Sequence, residues 1–363
     1  MIINIIPPPQ KANSDAESGK QVSAGKKKLY RYDVAMLRLL CIAIVVFFHA
    51  YGMTYVHFSD TTNAIYAEKY EIFNQTYLIN IAMPMFIFIS GFLFGGQLIR
   101  QQPITFAKMF KSKFMRLMVP FFVFTLLFMF TQNVVSIKPF YQWTYSHLWF
   151  LPMLFWCFVA TYFLRPLIMN KSLIVSITTI VLLFAIAFLG KFVPMIIGLH
   201  NLNTSICWFA LGVWFYKHER ELMMPSASSL LKVTTIVGGL IIYFVGMTLF
   251  PMEYGARTFL GFLFTICAMY SLWLLFSWIP WRNFAVTDFL LSLSACSFGI
   301  YIFHNWLEAH MVSRTAQRVL GLEQLAIDHI YIFPFVFSII AFLLSLGITW
   351  ILLKFKIGQK LIG

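Results

Sequence analysis

Long apolar runs separated by short polar segments occupy the chain from residue 31 onward. There are ten such runs, approximately 34–56, 76–98, 116–137, 148–165, 172–190, 204–217, 230–250, 257–279, 289–308 and 329–353. A helix needs about 20 mostly apolar residues to cross the hydrocarbon core of a bilayer. The sixth run is the least certain of the ten, because Asn201, Asn203 and Thr204 lie at its start. The pattern predicts an all-α, polytopic membrane protein with about ten transmembrane helices.

The segment before the first run is polar and basic. It contains Pro7, Pro8 and Pro9 and the run Lys26, Lys27 and Lys28. Such composition favours disorder, and we find no pattern of a cleavable signal peptide. We therefore predict a disordered cytoplasmic tail, 1–30, and one transmembrane domain, 31–363.

Composition agrees with a protein embedded in lipid. The chain is 60% hydrophobic and only 11% charged, although its formal net charge is +14. In a soluble protein this charge would suggest nucleic acid as a partner, but basic residues also collect in the cytoplasmic loops of membrane proteins. We expect the lipid bilayer as a partner and no nucleic acid.

The basic residues predict an orientation. If the N-terminus and the C-terminus are both cytoplasmic, all but six of the 27 lysine and arginine residues lie on the cytoplasmic side. The six on the outer side are Lys69, Lys138, Lys191, Arg257, Arg314 and Arg318. This bias follows the positive-inside rule for ten spans.

Arg38 and His49 stand out inside the first run, where they are eleven residues apart. Eleven steps of about 100° place them on one face of a helix and about 16 Å apart along it. Arg38 could be an anchor that reaches the interface, and His49 could be a packing residue. Together they indicate a polar path, since ionisable groups at such depth usually face a bundle interior.

Further polar residues group by predicted depth. Near the inner face, Ser90 either lines a pocket or bonds its own helix, and Lys113 and Arg116 either anchor the chain or bind phosphate groups. Near the outer face, His147 and Trp149 open the fourth run. An interfacial aromatic belt explains Trp149 well, but it does not explain His147. The polar residues of the ninth run share one sector: Ser294, Ser297, Tyr301 and His304.

Neither the cysteines nor the histidines indicate a metal. The five cysteines lie inside apolar runs with no CxxC pair, as small packing residues do. His49, His147 and His304 reach similar depths, but no close His or Glu spacing supports a zinc site. We therefore expect no metal.

These segments together resemble the acyltransferase family 3 of membrane proteins. The resemblance is carried, in chain order, by Arg38-x10-His49, the Ser90-Gly91-Phe92-Leu93 segment, the basic stretch from Lys113 through Arg116 to Pro120, His147-Leu148-Trp149-Phe150-Leu151, and the segment from Ser297 through Tyr301 to His304. One departure is Met85 before Phe86, where the family often has paired aromatic residues.

The resemblance implies an O-acyltransferase, usually an O-acetyltransferase, with acetyl-CoA or another acyl-CoA as donor and a cell-surface or lipid-linked glycan as acceptor. It implies catalytic roles for His49 and Arg38, donor binding by Lys113, Arg116 and Ser90, and residence in a bacterial inner membrane. The acceptor would be bound by His147, Trp149, Ser297, Tyr301 and His304.

Two other classes of function fit parts of the pattern. A transporter or flippase of a glycan or polyprenyl-linked lipid would also place an arginine and a histidine along a path. Such proteins more often show an internal repeat, and the chain shows none that is convincing. A scaffold or signalling protein gives no reason for the ordered motifs.

Overall fold

The structure is a computed structural model that describes residues 31–56, 64, 68, 70, 73–99, 104–131, 133, 136–141, 146–188, 196–250, 256–311 and 321–363. The tail predicted to be disordered, 1–30, lies outside these residues. Within them every regular element is a helix, so the all-α class is confirmed.

The main helices follow the apolar runs. They are α1 (Tyr32–Val56), α2 (Ile79–Leu98), α3 (Phe106–Thr131), α4 (Phe150–Ile168), α5 (Leu173–Phe188), α6 (Leu202–Leu222), α7 (Ser229–Leu249), α8 (Ala256–Trp278), α9 (Thr287–Ala295), α10 (Ser297–Met311), α11 (Leu322–Asp328), α12 (Phe333–Leu353) and α13 (Lys356–Ile362). A π-helical turn, Phe114–Met118, interrupts α3.

Most of these helices have the length and composition of membrane spans. Among the described residues seven qualify, or eight if α9 and α10 form one bent span. The fifth and sixth runs also fold as helices, but α5 has only 16 residues and α6 ends in a charged segment. The polytopic helical bundle is therefore confirmed, while the orientation of its termini stays a prediction.

An ion-pair cluster fixes one end of the bundle, which we call the Arg31 end. Arg31 precedes α1 and pairs with Glu219 near the end of α6, at 2.6 and 2.9 Å, and also with Asp33. Burial alone would lower the pKa of the Arg31 guanidinium, but hydrogen bonds and charge from Asp33 and Glu219 raise it overall. The cation therefore stays charged and joins α1 to α6.

Two glycines bring α2 and α6 into backbone contact. A Cβ atom added at Gly91 would lie 2.0 Å from the carbonyl oxygen of Phe209, and one added at Gly212 would lie 2.1 Å from that of Phe88. Small residues permit this approach between membrane helices. This contact holds the Ser90 segment of α2 against α6.

Candidate active site

Arg38 lies at the bend between α9 and α10, which meet at 64°. Its Nη2 atom donates hydrogen bonds to the carbonyl oxygen and the hydroxyl of Ser294, at 2.7 and 3.1 Å. The Ser294 hydroxyl donates to the carbonyl of Ala35, at 2.6 Å. The last carbonyls of a helix carry partial negative charge, so the guanidinium stabilises the broken helix against α1.

A cavity of about 1000 Å³, counted with the space that opens to solvent, extends from Arg38 along the bundle. Met83, Phe86, Phe150 and Leu151 form much of its apolar wall. Six residues singled out from the sequence line it: Arg38, Ser90, Lys113, Arg116, Ser297 and Tyr301. The structure thus brings together the predicted donor-binding residues and part of the predicted acceptor set.

Lys113 and Arg116 supply positive charge to this cavity. Lys113 is only 3% exposed, and its Nζ lies 3.9 Å from the ring centre of Phe158. Arg116 donates a hydrogen bond to the carbonyl of Gly363, at 2.7 Å. Neither forms an ion pair with an aspartate or glutamate of the described residues. Arg116 is partly buried, whereas Lys113 is a buried cation. A buried cation without such a counter-charge is costly, and Lys113 therefore favours an anionic ligand.

The serines of the cavity use their hydrogens within the protein. Ser90 donates to the carbonyl of Phe86, at 3.0 Å, and Ser297 donates to that of Ser294, at 2.7 Å. The alternative of Ser90 bonding its own helix is therefore observed. The lone pairs of both hydroxyl oxygens remain available, because a hydroxyl has one donor and two acceptor positions.

Beyond Tyr301 lies a cluster of three imidazole rings. The ring centres of His49 and His304 are 5.2 Å apart, those of His147 and His304 are 5.0 Å apart, and those of His49 and His147 are 6.4 Å apart. His147 and His304 are buried, whereas His49 is partly exposed. The similar depth predicted for the three histidines is confirmed.

In the described part of the chain no group of three or more His, Cys, Asp or Glu residues could hold a metal ion.

Backbone contacts fix which ring nitrogens carry hydrogen. His147 Nε2 contacts the carbonyl of Ile302 at 2.9 Å, and His304 Nδ1 contacts that of Ile300 at 3.1 Å. Because a carbonyl oxygen only accepts, both nitrogens must donate. In the neutral rings His147 Nδ1 and His304 Nε2 are then the acceptors.

Two further polar residues of α10 were missed from the sequence. Asn305 places its side-chain amide 3.0 Å from His49 Nδ1. Glu308 is fully buried four residues beyond His304. A signal for Glu308 was present, because an acidic residue inside an apolar span is rare and usually functional. Asn305 carries no charge, and nothing in the pattern marked it.

Trp149 takes a separate position. It precedes α4, with its ring centre 6.1 Å from that of Phe150, and it does not line the described cavity. Its role in acceptor binding stays a prediction. His147, two residues earlier, instead receives a hydrogen bond on its carbonyl oxygen from the hydroxyl of Tyr301.

Comparison with known proteins adds one finding. A family model described as an acyltransferase domain matches residues 31–354. Comparisons with curated proteins and with solved structures found no match. The matched region contains every residue that lines the cavity and all three histidines of the imidazole cluster. This multi-pass membrane protein belongs to the acyltransferase family 3.

Proposed function

We propose that the protein transfers an acyl group, expected to be acetyl, from cytoplasmic acyl-CoA to a hydroxyl of a cell-surface or lipid-linked glycan. One observation carries the proposal: a single cavity has Lys113 and Arg116 in its wall and ends at Tyr301, next to the imidazole cluster. Family membership supports acyl transfer, and the charges in the cavity support an anionic donor.

The donor would lie along this cavity. Its phosphates would bind Arg116, whose guanidinium can form paired hydrogen bonds, and Lys113, which acts as a point charge. The apolar wall suits the pantetheine arm and the acyl group. Arg38 and the Ser90 oxygen would face the middle of the donor, with the thioester directed towards Tyr301.

His49 would act as the general base. Its Nε2 would take the proton of the acceptor hydroxyl while the hydroxyl oxygen attacks the thioester carbonyl. Collapse of the tetrahedral intermediate breaks the carbon–sulfur bond, and the imidazolium returns its proton to the departing CoA thiolate. His147, Tyr301, His304, Ser297 and Trp149 would orient the acceptor.

A second route forms an acyl-imidazole at His49 before the acceptor attacks. The two routes use the same residues and differ in whether the acyl group is first transferred to His49 or passes directly to the acceptor. Trapping labelled protein by rapid acid quench, with no acceptor present, distinguishes them: the covalent route leaves label on His49, and direct transfer leaves none.

The test of donor binding uses purified protein and radiolabelled acetyl-CoA, with succinyl-CoA and a longer acyl-CoA as further probes. We expect Arg116→Ala to weaken binding at least about tenfold, since hydrogen bonds to charged groups contribute about 1.5–3 kcal/mol. Lys111→Ala is the matched control, because Lys111 is exposed on the same helix. Absence of binding by the wild type, or equal binding by Arg116→Ala, would contradict the proposal.

A further inference from the structure

Glu308 on α10 is a buried acidic residue that the proposed chemistry does not use. Its exposed fraction is 0%, and neither carboxyl oxygen has a hydrogen-bond partner among the described residues. Burying a polar group without a partner is costly, and native proteins rarely retain such a group without a reason. The carboxyl therefore has unused capacity to accept hydrogen bonds.

Its position on α10 relates it to the imidazole cluster. At about 100° per residue, Tyr301, His304, Asn305 and Glu308 lie within an arc of about 100° on one helix face. Tyr301 and His304 pack against the ring of His147, and Asn305 contacts His49. Glu308 is in the middle of this arc, about 6 Å beyond His304 along the helix.

The donor cavity lies on the opposite side of the cluster. Its lining includes Tyr301 and Val45 but neither His304 nor Glu308. Along α10 the order is therefore cavity, imidazole cluster, Glu308. An acceptor that approaches along α10 from the side away from the donor would pass Glu308 before it reached the cluster.

We propose that Glu308 is an acceptor-recognition residue, whose carboxyl accepts hydrogen bonds from a hydroxyl adjacent to the one that is acylated. This inference rests on the proposed function and deepens it. A carboxyl group presents two oxygens side by side, which suits a pair of neighbouring donors. The acceptor class that fits is a polyol or sugar with vicinal hydroxyl groups, whereas a simple alcohol gains nothing from the second oxygen.

Small acceptors test this without knowledge of the natural glycan. Purified protein is given the acyl-CoA that it binds, and transfer to glycerol is compared with transfer to 1-propanol and to water. The wild type should favour glycerol over 1-propanol. Glu308→Ala should lose this preference by at least about tenfold, while Glu308→Gln, which keeps one amide oxygen, should lose part of it.

The other two reactions and one matched variant serve as controls. Transfer to 1-propanol and hydrolysis should be unchanged in Glu308→Ala, as should its unfolding temperature, because the carboxyl has no described structural partner to lose. Asp328→Asn, at an exposed carboxylate in α11, should keep the glycerol preference.

Three results would overturn the inference. The first is a wild type that does not distinguish glycerol from 1-propanol, and the second is a Glu308→Ala variant that keeps the preference. The third is an equal fall of all three reactions, which would show a structural role. A wild type that neither binds nor cleaves any acyl-CoA would instead overturn the proposed function, and this inference with it.

Discussion

At the scale of single residues, the contact between His49 and Asn305 decides how the base can work. For Nε2 of His49 to accept a proton, Nδ1 must carry the hydrogen and donate it. The Asn305 Nδ2 atom lies 3.0 Å from Nδ1. A half-turn of the side-chain amide exchanges its nitrogen and oxygen, and the oxygen then accepts the hydrogen of Nδ1. We therefore expect Asn305 to be a positioning residue that acts through His49.

Substitution of Asn305 should disturb the orientation of His49 without changing the binding of acyl-CoA. We expect Asn305→Ala to lower kcat about 10- to 100-fold, an effect of the size seen when a catalytic group loses its orientation, with KM for acyl-CoA unchanged. Asn305→Asp keeps an acceptor oxygen and should restore much of kcat. Steady-state kinetics on purified variants measures both constants. A rise in KM with normal kcat would contradict this role.

Most residues that line the cavity or form the imidazole cluster by their polar side chains could be singled out from the sequence, but not the contacts that hold them. Arg38, His49 and His304 stand out because ionisable residues in apolar runs are conspicuous. Asn305 does not, because an amide beside His304 resembles an ordinary packing residue. Its role depends on α1 lying against α10, which no local pattern reports.

At the scale of elements, backbone contact between α2 and α6 positions the cavity wall. Gly91 permits this contact because it has no side chain, and its partner is the backbone of Phe209. The bend between α9 and α10 was not predicted. Run 289–308 contains no proline, and the residues around Cys296 are small but do not by themselves mark a break in a helix. The hydrogen bonds of Arg38 to Ser294 explain the bend, and they are tertiary contacts.

Alanine at the contact glycines should destabilise the bundle. Gly91→Ala and Gly212→Ala each force a methyl group into a backbone carbonyl, and overpacking typically costs about 1–3 kcal/mol or more. We expect a lower unfolding temperature in detergent for both variants. Gly347→Ala on α12 is the control, since no atom lies within 4 Å of its added Cβ. Equal unfolding temperatures for all three variants would contradict this account of the packing.

At the scale of the whole molecule, the sequence predicted the class of fold and the family, and both are confirmed. Hydropathy suffices for the fold because every backbone polar group in lipid must bond internally, which leaves helices as the solution. Neither hydropathy nor charge specifies the acceptor, because that depends on where a few side chains such as Glu308 meet.

The positive-inside bias leads to a prediction for the whole chain. We expect the C-terminus, and with it the Arg31 end of the bundle, to face the cytoplasm. A green fluorescent protein fused after Gly363 should fluoresce in bacterial cells, and alkaline phosphatase fused there should be inactive. The reverse pair of results would place Lys113 and Arg116 outside, where they could not meet cytoplasmic acyl-CoA.

In the proposed function, the imidazole cluster is where the acyl group is transferred. The most direct measurement compares acyl-CoA cleavage and binding by purified wild type, His49→Ala and His310→Ala. His310 is a matched control on α10, bonded to the carbonyl of Trp306 and absent from the cluster. We predict that His49→Ala lowers turnover about 10²- to 10⁴-fold, as expected for loss of a general base, while acyl-CoA binding and the His310→Ala variant stay normal. Near-normal turnover by His49→Ala would contradict the account.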